Sequence, residues 1–185
     1  MSDDSVELLF VAAPHPSRLD PVQLFKQCEM KMMRRGGPGG QHRNKTSSGV
    51  LLTHVPTGFI AEASERRSQA DNRRVALGRL RLLLAVGVRC AKEEEDETGN
   101  GSAAALRNRY RGRSIWVSES NVDRPALIAL LLDELVAKEY DLASVAKEWR
   151  TSSSQIVRLL RSYPPALDLL NRLRRAHNPN ARRLR

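Results

Sequence analysis

Residues 36–40 read Gly-Gly-Pro-Gly-Gly, a run that neither a helix nor the interior of a strand tolerates, so the chain must break there and fold as flanking segments. Glycine in a helix or strand costs about 0.5–1 kcal/mol relative to alanine, and an interior proline costs a helix about 3 kcal/mol. Both neighbours are strand-like: residues 30–33 on one side, and Gly49–His54 with its Val-Leu-Leu-Thr run on the other. Pro56, Thr57 and Gly58 supply turn chemistry before residues 59–63, so the two later runs form a hairpin. Upstream, Asp20 followed by Pro21 predicts a short helix to about residue 29, with an acceptor at the cap and proline in the first turn. Downstream, Ser64 or Ser68 can cap a long helix to about residue 89. Its Val75, Leu77, Leu80, Leu83, Leu84 and Val86 hold helical spacing, with Arg66, Arg67, Arg73, Arg74, Arg79 and Arg81 largely on the other side.

Residues 92–102, with a Glu-Glu-Glu-Asp-Glu run and Gly-Asn-Gly-Ser behind it, predict a solvated linker. A basic stretch at 107–113 leads to a short strand at 114–118. Asp123 and Pro125 then start a helix whose Leu127, Leu130, Leu131, Leu132 and Leu135 give it a wide apolar face. Two further helices are expected at Leu142–Trp149 and 154–161, and a last one after Pro164 and Pro165. Residues 172–185 are basic and expected to be frayed or disordered when free. The fold class is α+β, a small mixed or antiparallel sheet packed on a long helix and followed by an all-helical module. An N-terminal extension covers 1–19, an α+β domain 20–118 with the acidic linker inside it, the helical module 119–171 and the basic tail 172–185.

The formal charge of +10 implies a polyanionic partner, because lysine and arginine release counterions when they neutralise phosphates. Residues 30–89 hold 12 basic and 3 acidic side chains, whereas residues 1–20 hold 1 and 4, so the surplus sits around the glycine run. Aromatic residues make up 4% of the chain, too few for a sheet that stacks bases one by one. Cys28 and Cys90 stand far apart, which indicates neither a disulfide framework nor a zinc site. His42 and His54 have no acid, histidine or cysteine at ligand spacing, so no metal and no cofactor is expected. Nor does the chain carry a Ser-His-Asp or Cys-His set, which favours an enzyme that borrows its active site. The acidic first residues are unlike a signal or transit peptide and no apolar run approaches membrane-spanning length, so the expected place is the cytoplasm, away from membranes.

One rival for the glycine run is a nucleotide-binding loop, since Gly39-x-x-x-x-Asn44-Lys45-Thr46 nearly matches the G-x-x-x-x-G-K-[ST] pattern. It fails on context: the second glycine is Asn44, and a strand-like run comes next where a phosphate-facing helix should begin. The better match is longer. Arg34, then Gly37-Pro38-Gly39-Gly40-Gln41-His42, Asn44 and Lys45, the His54-Val-Pro-Thr-Gly58 turn, and Arg67-Ser68-Gln69 with Asn72 keep several fixed spacings over about fifty residues. This pattern resembles the Gly-Gly-Gln domain of the class I peptide-chain release factors. It departs from them at Arg35-Gly36, where two small serines are usual, and at Arg43, where a small apolar residue is usual; both changes add charge beside the loop.

The resemblance implies cleavage of the ester between nascent peptide and tRNA in the peptidyl transferase centre of the ribosome. Water attacks the ester carbonyl and the backbone N–H of Gln41 donates to the developing oxyanion. The Gln41 side chain places water, while Gly39 and Gly40 allow a backbone shape that a Cβ would block. The catalytic residues implied are Gly39, Gly40 and Gln41. Residues implied to contact rRNA or tRNA are Arg34, Arg35, His42, Arg43, Asn44, Lys45, Arg66, Arg67, Gln69, Arg73 and Arg74. In the tail, Arg174, Arg175, Arg182, Arg183 and Arg185 resemble the basic C-terminal tails with which ribosome-rescue members sense an empty mRNA channel. Only about thirty residues precede the motif strand, leaving nothing to read a codon. The expectation is therefore a monomer that releases peptide from stalled ribosomes without a codon. The alternative is a non-catalytic nucleic-acid-binding regulator, because Ala146, Thr151-Ser152, Ile156 and Arg158 resemble a helix-turn-helix.

Overall fold

Residues 8–33, 48–90 and 103–185 are described by the computed structural model of the chain; among them are seven α-helices, a three-stranded antiparallel sheet and a two-stranded parallel sheet. This is the α+β class expected. Packing divides the chain into one unit at 19–84 and a second that joins residues up to 18 with those from 85 onward.

In the first unit, helix α1 (Pro21–Lys26) begins as its sequence dictates, with the Val22 N–H donating to Asp20 Oδ1 at 2.8 Å. It ends earlier than the expected residue 29, because strand β2 (Cys28–Met33) already pairs at Cys28 with His54. Strands β3 (Gly49–His54) and β4 (Ile60–Ala63) complete the sheet in the order β2-β3-β4. Val50 and Leu52 of β3 stand opposite Ala63 and Ala61 of β4, and all four are buried. The turn between them is set by its residues: the His54 carbonyl accepts from the Gly58 N–H at 2.8 Å, and Gly58 has φ of +73°, a conformation open to glycine at little cost. Buried His54 donates through Nε2 to Gln27 Oε1 at 3.0 Å and accepts at Nδ1 from the Thr57 hydroxyl at 2.7 Å. Burial lowers its pKa, so it stays neutral and structural.

Helix α2 (Gln69–Gly87) is capped by Ser68, whose hydroxyl accepts from the Asp71 N–H at 3.3 Å. Its fully buried stripe is Asn72, Ala76, Leu80 and Leu84, four residues apart each time. Two details differ from the sequence pattern. Val75, Leu77, Leu83 and Val86 are only half-buried, and Arg81, expected on the polar side, is buried.

In the second unit, β1 (Leu9–Val11) runs parallel to β5 (Val88–Cys90). The sequence pattern predicts neither strand, since three residues are too short to show a period. Helix α3 (Ala103–Tyr110) takes up the start of the basic stretch, and α4 (Arg124–Ala137), α5 (Leu142–Trp149), α6 (Ser153–Arg161) and α7 (Pro164–His177) come after it. From Arg124 to Leu132 every residue of α4 is buried, the mark of a helix enclosed on all sides. Its Glu134 accepts from Arg107 of α3, with Nε at 2.8 Å, and from the indole N–H of buried Trp149. Asp123 does not cap α4 as expected; its carboxylate takes Arg109 at 2.6 Å and the Tyr110 hydroxyl at 2.9 Å instead. The expected strand at 114–118 joins neither sheet, although Ile115 and Val117 point inward and Trp116 outward.

The basic end is also more ordered than its composition suggests. Helix α7 continues through Arg172, Arg174 and Arg175 to His177, because Leu173 is buried. An Asn-Pro-Asn turn then reverses the chain, with Asn178 Oδ1 accepting from the Asn180 N–H at 3.0 Å. Buried Asn171 holds the returning segment in two bonds, to the Leu184 carbonyl at 3.2 Å and from the Leu184 N–H at 2.8 Å.

His15 supplies a pH test of the second unit. Its Nε2 donates to the Val88 carbonyl at 3.1 Å, and Nδ1 accepts from the Ser17 hydroxyl at 2.8 Å. Burial, and then the nearby Arg89 charge, lower its pKa to about 3. The unfolded chain therefore gains a proton near pH 6.5 that the folded chain refuses, and the contribution of His15 is lost as pH falls from about 6.5 towards 3. Urea unfolding at about pH 6 and about pH 4.5 should show the stability advantage of wild type over His15→Gln shrinking by roughly 1 kcal/mol per pH unit.

Candidate functional site

The catalytic residues expected from the sequence, Gly39, Gly40 and Gln41, lie outside the described residues, as do Arg34, Arg35, His42, Arg43, Asn44 and Lys45. The ends of that segment are defined. Residues 34–47 connect β2 to β3, and the antiparallel ladder closes on the pair Met33 and Gly49, so both ends leave from one point at the edge of the sheet. A Cβ on Gly49 would stand 2.9 Å from the Met33 carbonyl oxygen and 3.4 Å from Ser64 Cβ, a spacing that only glycine accepts without a shift of backbone.

Asn72 fixes the return end. Its amide NH2 donates to the Ser48 carbonyl at 2.7 Å and to the Arg66 carbonyl at 2.9 Å, and its Oδ1 accepts from the Arg66 N–H at 2.9 Å. That last bond sets the orientation of the amide, since a backbone N–H can only donate. Because Asn72 shares the buried stripe of α2 with Ala76, Leu80 and Leu84, Ser48, the residue that follows the 34–47 segment, is tied to the core of its unit. The sequence pattern includes Asn72 only as a matched position; a polar residue in phase with the buried stripe is the signal for its role.

Of the arginines expected to meet RNA in this unit, Arg66, Arg67, Arg73 and Arg74 are exposed, and Gln69 is half-buried. Arg66 is held through its backbone by Asn72, and Arg73 lies over the Phe25 ring at 5.2 Å. Arg74 pairs with Asp71 at 3.0 Å, while Arg79 is used internally by Glu65 and by the Glu62 carbonyl. In the tail, Arg174 donates to the Arg182 carbonyl at 2.9 Å, and Arg175, Arg182, Arg183 and Arg185 are exposed. Strand β3 begins at Gly49, four residues after Lys45, where the phosphate-loop reading needs the body of a helix.

A family model for the RF-1 domain matches residues 22–121, more than half of the chain. The chain belongs to the class I release factor family. Over 98 residues it is 41% identical to peptide chain release factor 2 of Clostridium perfringens, covering 51% of this chain and 26% of that one. Over 122 residues it is 43% identical to peptide chain release factor 1 of Dictyoglomus thermophilum, covering 63% and 32%. With the mitochondrial peptide chain release factor 1 of Bos taurus the identity is 36% over 104 residues, 56% of this chain and 22% of the relative. The chain thus spans about a quarter to a third of the length of these relatives. No solved structure matches it.

For this release factor family member, replacing Asn72 with alanine should destabilise the protein by roughly 1–3 kcal/mol, the cost of leaving buried backbone partners unmet. Asn72→Asp, which sets a carboxylate against two carbonyl oxygens, should be at least as damaging. Urea denaturation of both variants against wild type checks this.

Proposed function

We propose that the chain hydrolyses the ester of peptidyl-tRNA on the ribosome, and that it does so on stalled ribosomes without reading a codon. The observation that carries the first part is the RF-1 domain match at 22–121, which contains Gly39, Gly40 and Gln41. The geometry around them supports it: the segment that bears these residues starts and ends at one paired point, with its return end tied into a core by Asn72. Such a mounting lets a backbone N–H be carried to a substrate held elsewhere, and the Gln41 N–H is the oxyanion donor in this reading. Residues 20–118 are the catalytic domain, 119–171 a docking module and 172–185 the tail that meets RNA.

The exposed Arg66, Arg67 and Arg73, and Arg74 on exchanging its exposed partner Asp71 for a phosphate, would neutralise rRNA phosphates in this reading. Codon-independent action is supported by the arginine-rich end, where Arg175, Arg182, Arg183 and Arg185 are exposed towards a polyanion such as an mRNA channel wall. The chemistry needs no metal or cofactor, and a cytoplasmic monomer would suffice. A second reading, a non-catalytic nucleic-acid-binding regulator, is favoured only by α5 and α6, which a three-residue turn joins as in a helix-turn-helix.

Release of labelled peptide from ribosomes carrying peptidyl-tRNA should separate the two. Gly40→Ala should lower the rate about a hundredfold or more, the scale of a lost oxyanion donor, and Gln41→Ala should abolish selective use of water, with the melting temperature unchanged in both. Ribosomes on truncated mRNA should be better substrates than those with a full A-site codon. Replacing Arg182, Arg183 and Arg185 with alanine should erase that preference. A fully active Gly40→Ala variant would remove the catalytic assignment.

A further inference from the structure

The basic stretch at 107–113 divides into two kinds of arginine. Arg107 and Arg109 are spent on Glu134 and Asp123 within the fold. Arg111 and Arg113 are exposed and make no ion pair among the described residues. The turn that carries them is docked: the Gly112 N–H donates to the Trp149 carbonyl at 2.9 Å, and a Cβ on Gly112 would lie 3.9 Å from Arg150 Cβ. Arg150, exposed and also without an ion pair among the described residues, is thereby set beside them. Three residues beyond Arg113 stands Trp116, 46% exposed although Ile115 and Val117 on either side are buried. Its ring is therefore held outward by two anchored neighbours. The Arg158 guanidinium lies over that ring, 5.2 Å from its centroid.

We propose that Trp116 and Arg158, with Arg111, Arg113 and Arg150, form a binding surface for an unpaired RNA strand. A tryptophan fixed outward in water gains by stacking a base, and an arginine on the same ring extends the platform with a cation that also meets the phosphate. Three further arginines, with no carboxylate partner among the described residues, then track the backbone of the strand. The same geometry speaks against the helix-turn-helix use of α6. Arg158, which would have to reach base edges in a major groove, lies on the indole instead. The choice of RNA over DNA rests on the ribosomal function proposed for the chain; the platform itself does not.

The full-length protein titrated into a fluorescein-labelled, unstructured RNA of mixed sequence, about twelve nucleotides long to match a single-strand site, gives the test by anisotropy. Trp116→Ala should weaken binding about tenfold or more, and Trp116→Phe, which keeps a ring at the position, should recover most of it. Arg158→Ala should weaken it less than Trp116→Ala. The combined Arg111→Ala, Arg113→Ala and Arg150→Gly variant should flatten the dependence of log affinity on log salt by about 0.7 for each phosphate no longer neutralised. Arg150 has φ of 49°, so glycine there also relieves the backbone and keeps the fold. Gln41→Ala should bind the RNA as wild type does, which separates this surface from peptide release. Unchanged affinity in Trp116→Ala, or tighter binding of a DNA duplex or of the same strand as DNA, would overturn the proposal.

Discussion

The carboxamide of Asn72 meets three backbone groups at once, and the order of the first unit where strand β3 begins depends on that. The described ends of the connection between β2 and β3 are each held by the first unit. On one side the β2 and β3 ladder runs as far as Met33 and Gly49; on the other, Ser48 and Arg66 are held by an amide at the head of a helix stripe otherwise made of Ala76, Leu80 and Leu84. A buried polar group is tolerated in such a stripe only when its bonding capacity is filled, and here its oxygen and its NH2 group are both used.

The second unit solves a different problem. Its α4 is apolar almost all round, so the helices that enclose it would be free to slide over a greasy cylinder. Glu134 gives them an address: Arg107 reaches it from α3 and Trp149 from α5. Arg124, also buried, reaches the Ser162 hydroxyl at the end of α6. Directional bonds set at the margin of an apolar helix specify which neighbour lies where, and the apolar burial supplies most of the stability.

Much of this is legible in the residues alone. Asp20 and Ser68 each cap the helix their position predicts, because capping depends on a few adjacent residues, and Asp141 and Ser152 cap α5 and α6 in the same way. The hairpin at Gly49–His54 and Ile60–Ala63 rests on a turn to which Pro56, Thr57 and Gly58 are suited. The features that escape a sequence reading depend on distant partners. β1 and β5 are strands only by virtue of each other, and Asp123 gives up a local cap for Arg109 and Tyr110, which arrive from another helix. The tail reads as frayed because six arginines dominate its composition, yet Leu173, Leu184 and the Asn-Pro-Asn turn decide its path. At the site, residue types and spacing mark Gly39, Gly40 and Gln41, whereas the support from Asn72 needs the register of the helix.

The fold-back of residues 178–185 on Asn171 changes what kind of arm this is. A loose tether searches space and loses its freedom when it is caught. A bent one presents Arg182, Arg183 and Arg185 from a fixed platform, near at hand and at small entropic loss. To reach farther it must first release Leu184 from Asn171 and the Arg182 carbonyl from Arg174. Freed, about eight residues would extend by about 26 Å at the span of a fully stretched chain. The folded-back path is thus separated from an extended one by the two bonds of Asn171 and by the bond from Arg174 to the Arg182 carbonyl.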